Sequence, residues 1–579
     1  MWVRKLLFVS LGAIALLLFA YGNHYQNGFH LDDESIVVNN SALRSLPASL
    51  AAFVDSSASG SDTATQLYRP LAILSLAWDF ARAGLSPYRY HLSAMEIFLL
   101  LIVVGYFLLR ELLKRSFEEP EASVVAFGCI CLYAFHAVHA ETLNYISARG
   151  SLLACLFSTL TLLLYVRSKQ ARERRLYLLS LTAALLSSKD AAAVPCLLFF
   201  YHLLFLSEPG EPADRRLKRA TLAAIPSFIV TSLALGLIVA LSNSQTPESS
   251  YSEYLATQPY AIAHYAAAFF YPIGICAEYG ISAGTASSSL ASWVSQLLVL
   301  CLLALAAISP CTPRGKVVSF GIAWFMFALI PSSLLFPSAQ FLDYRRTFFP
   351  FLGLALGVGS SLAIFVDWAK ARGAWKRRYS TYAITAVLLL LSLHILAIRH
   401  RNRIWANEET LWFDVLSKNP SYGRALMNYG LSKMAKNDYD IARLYLEEAL
   451  RYLPESPQLY ADLGTLHGKT SKDPRIAESY FKKAIELDAL YAPTYVDYGQ
   501  WLESRKMNAQ AIQAFEYALK IDPTSLRAHY ALIDLYFAQR RWARTREAAR
   551  ALLSIHPDDE RALRVLKSAE AKAAEGRRR

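Results

Sequence analysis

The chain has 579 residues, 54% of them hydrophobic, and a net charge of +13. That apolar share exceeds the roughly 45–50% of soluble globular domains, and the excess is confined to residues 1 to about 397, which excludes a single soluble domain. The basic residues stand in short clusters between apolar stretches, the pattern that orients membrane helices, and this argues against a nucleic-acid partner.

The N-terminus reads Met1-Trp-Val-Arg-Lys and then runs apolar to Ala20, with no Ala-x-Ala site following. An uncleaved signal-anchor helix is predicted. A spanning helix needs ~20 apolar residues, and eleven stretches approach it: 4–21, 91–110, 122–138, 148–166, 174–188, 191–206, 221–241, 290–309, 317–336, 347–365 and 380–397. Those at 174–188 and 191–206 are short, so they read as buried spans or a bent pair. With the N-terminus in the cytoplasm, the clusters at Arg110/Lys114/Arg115, Arg167–Arg175, Arg215–Arg219, Arg314/Lys316 and Lys370–Arg378 all fall inside. The opposite loops carry Asp32, Asp33, Asp55, Asp62, Glu141, Glu248, Glu253 and Glu278. Residues 259–272 are also apolar, but a span there would put Lys376-Arg377-Arg378 outside. They are read as an interfacial or re-entrant helix on the outer face, and everything after 397 is then extracytoplasmic. The seven cysteines, among them Cys129 and Cys131, mostly sit in apolar stretches without ligand-like spacing. Neither a disulfide framework nor a cysteine metal site is expected.

The remainder is a repeat. Pro420, Pro454, Ala489, Pro523 and Pro557 recur at steps of 34, 35, 34 and 34 residues, and Gly430, Gly464 and Gly499 keep the same rhythm, with Ile533 in the next glycine slot. Ala442 and Ala449, Ala477 and Ala484, and Ala511 and Ala518 follow. A ~34-residue period with small residues at the helix crossing is the tetratricopeptide (TPR) signature. Four repeats are expected. The domains are then 1–397, a membrane unit; 398–420, a connector helix; 421–570, the TPR domain; and 571–579, a basic tail. The fold class is all-α, a polytopic membrane bundle of about eleven spans followed by a TPR α-solenoid. Such solenoids present a concave surface to peptides or proteins; a spacer or oligomerisation arm is the alternative.

Polar groups recur at the ends of spans on the outer side: Asp32-Asp33-Glu34, Tyr68-Arg69-Pro70, Tyr90-His91, His136 to Arg149, Ser187-Ser188-Lys189-Asp190 and Asp343-Tyr344-Arg345-Arg346. Charges at membrane depth are costly and face a protein interior or a wet cavity. Taken singly, each fits a snorkelling anchor or a structural ion pair. Together they suit one chemistry: a carboxylate accepts the proton of a hydroxyl, and cations hold a phosphate that leaves with negative charge. Two adjacent carboxylates could hold a divalent cation, but no full ligand set is visible.

Phe29-His-Leu-Asp32-Asp33-Glu-Ser-Ile, Tyr68-Arg69-Pro70-Leu71, His139-Ala-Glu141-Thr-Leu-Asn-Tyr-Ile-Ser-Ala-Arg149, Ser188-Lys189-Asp190, Gly321 to Pro331 and Arg346-Thr-Phe-Phe-Pro350-Phe-Leu-Gly353 stand in order along the chain. This series, with the repeats after it, resembles the transmembrane-and-tetratricopeptide O-mannosyltransferases and their bacterial relatives. These belong to the GT-C superfamily of polyprenyl-phosphate-sugar-dependent glycosyltransferases. The resemblance implies inverting transfer of a sugar from a lipid phosphate to a Ser or Thr hydroxyl of an acceptor protein. It implies Asp32 or Asp33 as base and Glu141 as a second acid. Arg69, His91, His139, Arg149, Lys189 and Arg346 become candidates for phosphate and sugar contacts. The chain departs from the family pattern at Ala140 after His139, at Asp190 after Lys189, and at Tyr344-Arg345 before Arg346. Other functions in view are glycosyl transfer to lipid A or a surface polysaccharide, and a non-catalytic membrane TPR scaffold. Short loops suggest a bacterial cytoplasmic membrane with periplasmic repeats; an endoplasmic reticulum membrane with lumenal repeats is the alternative.

Overall fold

The computed structural model describes residues 2–60, 67–207, 210–242, 251–280, 290–337, 340–556 and 559–578. Asp62, Glu248, Pro557 and the end of the basic tail, Arg579, lie outside the described residues. Within them every regular element is helical. The chain divides into two compact units, Met1–Asn407 and Glu408–Arg579.

The first unit runs α1 (Trp2–Tyr21), α2 (Leu46–Ser49), α3 (Pro70–Ala83), α4 (Pro87–Leu113), α5 (Glu121–Ala134), α6 (His139–Asn144), α7 (Arg149–Arg167) and α8 (Lys169–Glu173). It continues with α9 (Tyr177–Leu185), α10 (Val194–Phe205), α11 (Ala213–Leu241), α12 (Tyr251–Phe270), α13 (Leu290–Ile308), α14 (Gly315–Ile330), α15 (Pro350–Ala371) and α16 (Arg377–Ile404). Among the described residues, eight helices are long and apolar enough to cross a bilayer: α1, α4, α7, α11, α13, α14, α15 and α16. The other three expected spans are shorter, with 14 residues in α5, 9 in α9 and 12 in α10. At 1.5 Å per residue these reach about 21, 14 and 18 Å, short of the ~30 Å hydrocarbon core.

The breaks have local causes. α5 stops at Ala134, and the turn after it buries His136 and His139 among Tyr133, Phe348 and Phe351. α9 ends before Ser188, whose side chain caps the 3-10 turn Lys189–Ala193 by accepting the Asp190 N–H. Irregular backbone at membrane depth is tolerated where protein or a cavity surrounds it, and this turn carries Lys189 into a cavity. α12 contains the apolar 259–272 stretch up to Phe270 and is not among the eight long apolar helices. It packs on α13. Its Tyr265 hydroxyl accepts the Asp343 N–H at 2.9 Å.

The loops gather at two ends of the bundle. At one end Arg110 pairs with Glu119 at 2.7 Å, Ser116 donates to the Pro313 carbonyl, Arg115 donates to the Val166 carbonyl, and Arg314 pairs with Asp367 at 2.6 Å. The loop after α1, the start of α3, the α6–α7 junction, the α9–α10 turn and the residues before α15 meet elsewhere, around Asp32. α7 begins at this second group with Arg149 and ends at the first with Arg167, about 28 Å away.

Helices α14 and α15 approach most closely at glycines. A Cβ on Gly321 would lie 2.6 Å from the Gly357 nitrogen, and one on Gly353 would lie 2.7 Å from the Gly321 carbonyl. Small residues four apart allow such contact in membranes, where packing rather than hydrophobicity drives helix association.

In the second unit α17 (Glu408–Lys418) precedes four antiparallel-type helix pairs: α18–α19 (Gly423–Ala435, Tyr439–Ala449), α20–α21 (Pro457–Thr470, Pro474–Leu487), α22–α23 (Ala492–Ser504, Asn508–Ile521) and α24–α25 (Leu526–Ala538, Trp542–Ile555). α26 (Glu560–Arg578) closes the series. Gly430, Gly464 and Gly499 each face a large side chain of the paired helix, Leu446, Phe481 and Phe515. In the last pair Ile533 fills the glycine slot and Ala549 takes the place of the large residue, and both lie in one buried cluster. The exchange keeps the summed volume at the crossing, as close packing requires.

Candidate active site

The loop after α1 is held by buried amides. Asn27 Nδ2 donates to the Asn402 carbonyl at 2.9 Å, Asn144 Nδ2 donates to Asn402 Oδ1 at 2.7 Å, and Asn402 Nδ2 donates to Asn23 Oδ1 at 2.9 Å. His30 Nε2 and the Trp405 carbonyl are 2.7 Å apart. Glu141 on α6 forms a buried ion pair with Arg401. The end of α16 is thereby tied to the aspartate loop and to α6.

The two aspartates part company. Asp33 is fully buried. Its Oδ1 accepts the Ser147 N–H at 2.7 Å and the Ser147 hydroxyl, and its Oδ2 accepts the His30 N–H at 3.0 Å. Burial pushes its carboxyl up to about 6, against the pull of those donors. Asp32 instead lines a cavity of about 390 Å³. Its Oδ2 accepts the Tyr145 hydroxyl at 2.6 Å, and among the described residues its other oxygen has no partner.

Arg69, Lys189, Arg345 and Arg346 bring four cations to the same cavity, with Asp190 and Asp343. Arg345 is spent on Asp343, gripping both carboxylate oxygens at 2.8 and 2.9 Å. Arg69, Lys189 and Arg346 make no ion pair among the described residues. Arg69 Nη1 donates to the Ser147 carbonyl at 3.3 Å, and Arg346 donates to the Tyr254 hydroxyl at 3.0 Å and the Gln340 carbonyl at 2.9 Å. The Lys189 ammonium lies 4.7 Å from the Phe336 ring centre. Burial lowers its pKa, and the nearby Asp190 charge opposes the shift. Asp190 accepts the Ser188 hydroxyl at 3.0 Å. With Asp343 neutralised, three cations face two carboxylates, leaving a surplus positive charge for an anion. Among the described residues no group of three or more His, Cys, Asp or Glu is gathered as a metal ion would need.

A tetratricopeptide-repeat family model matches residues 502–569. The human protein O-mannosyl-transferase TMTC3 is 21% identical over 588 aligned positions, covering 94% of this chain and 60% of the relative. The human protein O-mannosyl-transferase TMTC1 is 24% identical, covering 80% of this chain and 57% of the relative. Over most of its length the chain is similar to these TMTC proteins. It spans about 60% of the length of the curated relatives it matches. Among solved structures, YrrB, a TPR protein with an unusual peptide-binding site, is 25% identical over 28% of this chain and 81% of its own, with a TM-score of 0.22.

Of the residues that the family resemblance singles out, the structure brings Asp32, Arg69, Lys189 and Arg346 into one cavity. The others stand apart from it. Arg149, at 2% exposure, reaches Asp79 at 2.9 Å, the Ser75 hydroxyl at 2.9 Å and the Tyr90 carbonyl at 2.8 Å. His91 Nε2 and the Asn27 carbonyl are 3.1 Å apart. His139 is buried among rings, and Glu141 is closed by Arg401. Sequence reasoning missed the roles of Tyr145 and Ser147 and the partners Asp79 and Arg401. One signal was present: a lone acid, Asp79, in a largely apolar helix calls for a buried cation.

Proposed function

We propose that the membrane unit transfers a sugar from a polyprenyl-phosphate donor to a Ser or Thr hydroxyl of an acceptor protein on the extracytoplasmic side, with inversion at the anomeric carbon. The observation that carries the reading is the cavity that sets Asp32 among three cations free of carboxylate partners. Asp32 takes the proton of the acceptor hydroxyl as its oxygen attacks the anomeric carbon. The bond from that carbon to the phosphate oxygen breaks, and the electron pair leaves with the polyprenyl phosphate. The donor phosphodiester carries one negative charge and the departing monoester carries up to two. Arg69, Lys189 and Arg346 therefore bind the leaving group more tightly than the substrate, which is what acceleration requires.

In this reading Asp33 shapes the loop, and Arg149, Glu141, His91 and His139 build the frame. The repeats hold the acceptor or a partner, since TPR solenoids bind peptides on their concave face. The sidedness rests on the basic loops, which belong in the cytoplasm; the short loops support a bacterial inner membrane. The test is deletion of the gene in its own host with parallel profiling of protein-bound sugar, lipid-linked glycans and surface polysaccharide. Loss confined to protein-bound sugar is expected. Loss confined to lipid A or polysaccharide sugars overturns the protein acceptor.

A further inference from the structure

Tyr145 sits at the junction of α6 and α7, where its N–H donates to the Glu141 carbonyl at 3.1 Å and its own carbonyl accepts the Ala148 N–H at 3.0 Å. Its side chain is buried, yet its hydroxyl reaches the cavity carboxylate Asp32 at 2.6 Å. The Asp32 N–H donates back to the same hydroxyl at 3.3 Å. The phenol ring is itself held. The Arg345 guanidinium lies 4.8 Å from its centre, and the Trp405 ring lies 5.9 Å away. Arg345 is fixed in turn by both oxygens of Asp343. A chain of contacts thus runs from the loop before α15 to Asp32.

We propose that Tyr145 is a positioning residue that fixes the Asp32 carboxylate, with the Asp343–Arg345 pair fixing Tyr145. This rests on the reading of Asp32 as base. A base works only when its open oxygen points at the proton it removes, and such bases are oriented by a third group hydrogen-bonded to them. Here one oxygen is clamped by the phenol and the other is left open to the cavity. The unpaired cations around Asp32, Arg69 among them, would otherwise draw the carboxylate into an ion pair. The phenol holds the carboxylate by a neutral contact that leaves those cations available to the donor phosphate.

Tyr145→Phe is the test, because it keeps the ring against Arg345 and Trp405 and removes only the hydroxyl. The full chain is reconstituted in nanodiscs with polyprenyl-phosphate-mannose and protein extract from a deletion strain as acceptor pool. Tyr145→Phe is expected to lower kcat about tenfold, the scale of one charge-assisted hydrogen bond, with the apparent KM for the donor changed less than about twofold. Asp32→Asn is run beside it. If Asp32→Asn is inactive and Tyr145→Phe keeps the wild-type kcat, the positioning role is overturned and the base assignment stands. If Asp32→Asn is fully active, the base assignment itself fails. A second measurement needs no donor: carbodiimide labelling of carboxylates, read by peptide mass. Tyr145→Phe is expected to change the rate at Asp32 several-fold and leave Asp190 unchanged. Equal rates at Asp32 in both proteins overturn the contact.

Discussion

Arg149 provides a direct test of frame against chemistry. Its guanidinium and the Asp79 carboxylate are both about 1% exposed, 2.9 Å apart. Arg149→Met removes the cation and leaves Asp79 buried with one hydroxyl, from Ser93, and Arg89 at 3.6 Å. Breaking a buried pair from one side costs roughly 3–5 kcal/mol. The Tyr90 carbonyl loses a donor as well. At about 1.4 kcal/mol per decade this is a loss of roughly two to three and a half decades in the folding equilibrium. Replacing both charges, Arg149→Met with Asp79→Leu, removes the stranded carboxylate, and such double replacements are often neutral. The assay is thermal inactivation in nanodiscs, followed by transfer activity of the fraction that stays folded. The single variant should melt well below wild type. The double variant should recover most of the difference and transfer sugar at near the wild-type rate. A stable double variant without transfer would mean that Arg149 touches the donor, and the assignment of Arg149 to the frame would be wrong.

Four further outcomes follow from the same geometry. Gly321→Ala should destabilise the membrane unit, since the new methyl meets the α15 backbone at 2.6 Å, whereas Gly357→Ala, whose nearest contact would be 3.7 Å, should melt like wild type. Gly150→Ala should depress transfer, because its Cβ would lie 2.6 Å from the Ser187 carbonyl and displace the turn that carries Lys189; unchanged kinetics would refute that coupling. Replacing Arg69, Lys189 or Arg346 singly by a neutral residue should each cost about ten- to a hundredfold in kcat/KM for the donor, the weight of a charged hydrogen bond, and steady-state transfer kinetics check it. Asp33 has a folded-state pKa of about 6, above its ordinary value of 3.8. Its linked stability is therefore complete below about pH 4 and is lost as pH rises through about 6, by at most about 3 kcal/mol. Melting curves across this range should show the loss in wild type and not in Asp33→Asn.

The fold was legible where a physical constraint has a fixed period or length. Apolar runs must match the bilayer, and TPR crossings need a small residue every 34 or so positions, so Gly430, Gly464 and Gly499 announce the solenoid. The short α5 was not legible, because its hydropathy continues through Phe135 while its backbone turns to bury His136 and His139. At the site, adjacent Asp32 and Asp33 are indistinguishable in sequence. What separates them is Ser147, 114 residues on, which fills one oxygen of Asp33. Glu141 and Arg149 looked like cavity residues because their partners, Arg401 and Asp79, lie 260 and 70 residues away and carry no local mark. Tyr145 was in view as part of a motif, but its role depends on a contact that only the fold makes.

Intact-mass analysis of acceptor-compartment proteins from a deletion strain, complemented with wild type or with Asp32→Asn, bears on the catalytic assignment with the fewest intermediate steps. Hexose increments should return with wild type and stay absent with Asp32→Asn at equal membrane abundance. Increments restored by Asp32→Asn to the wild-type level would contradict a base in this cavity.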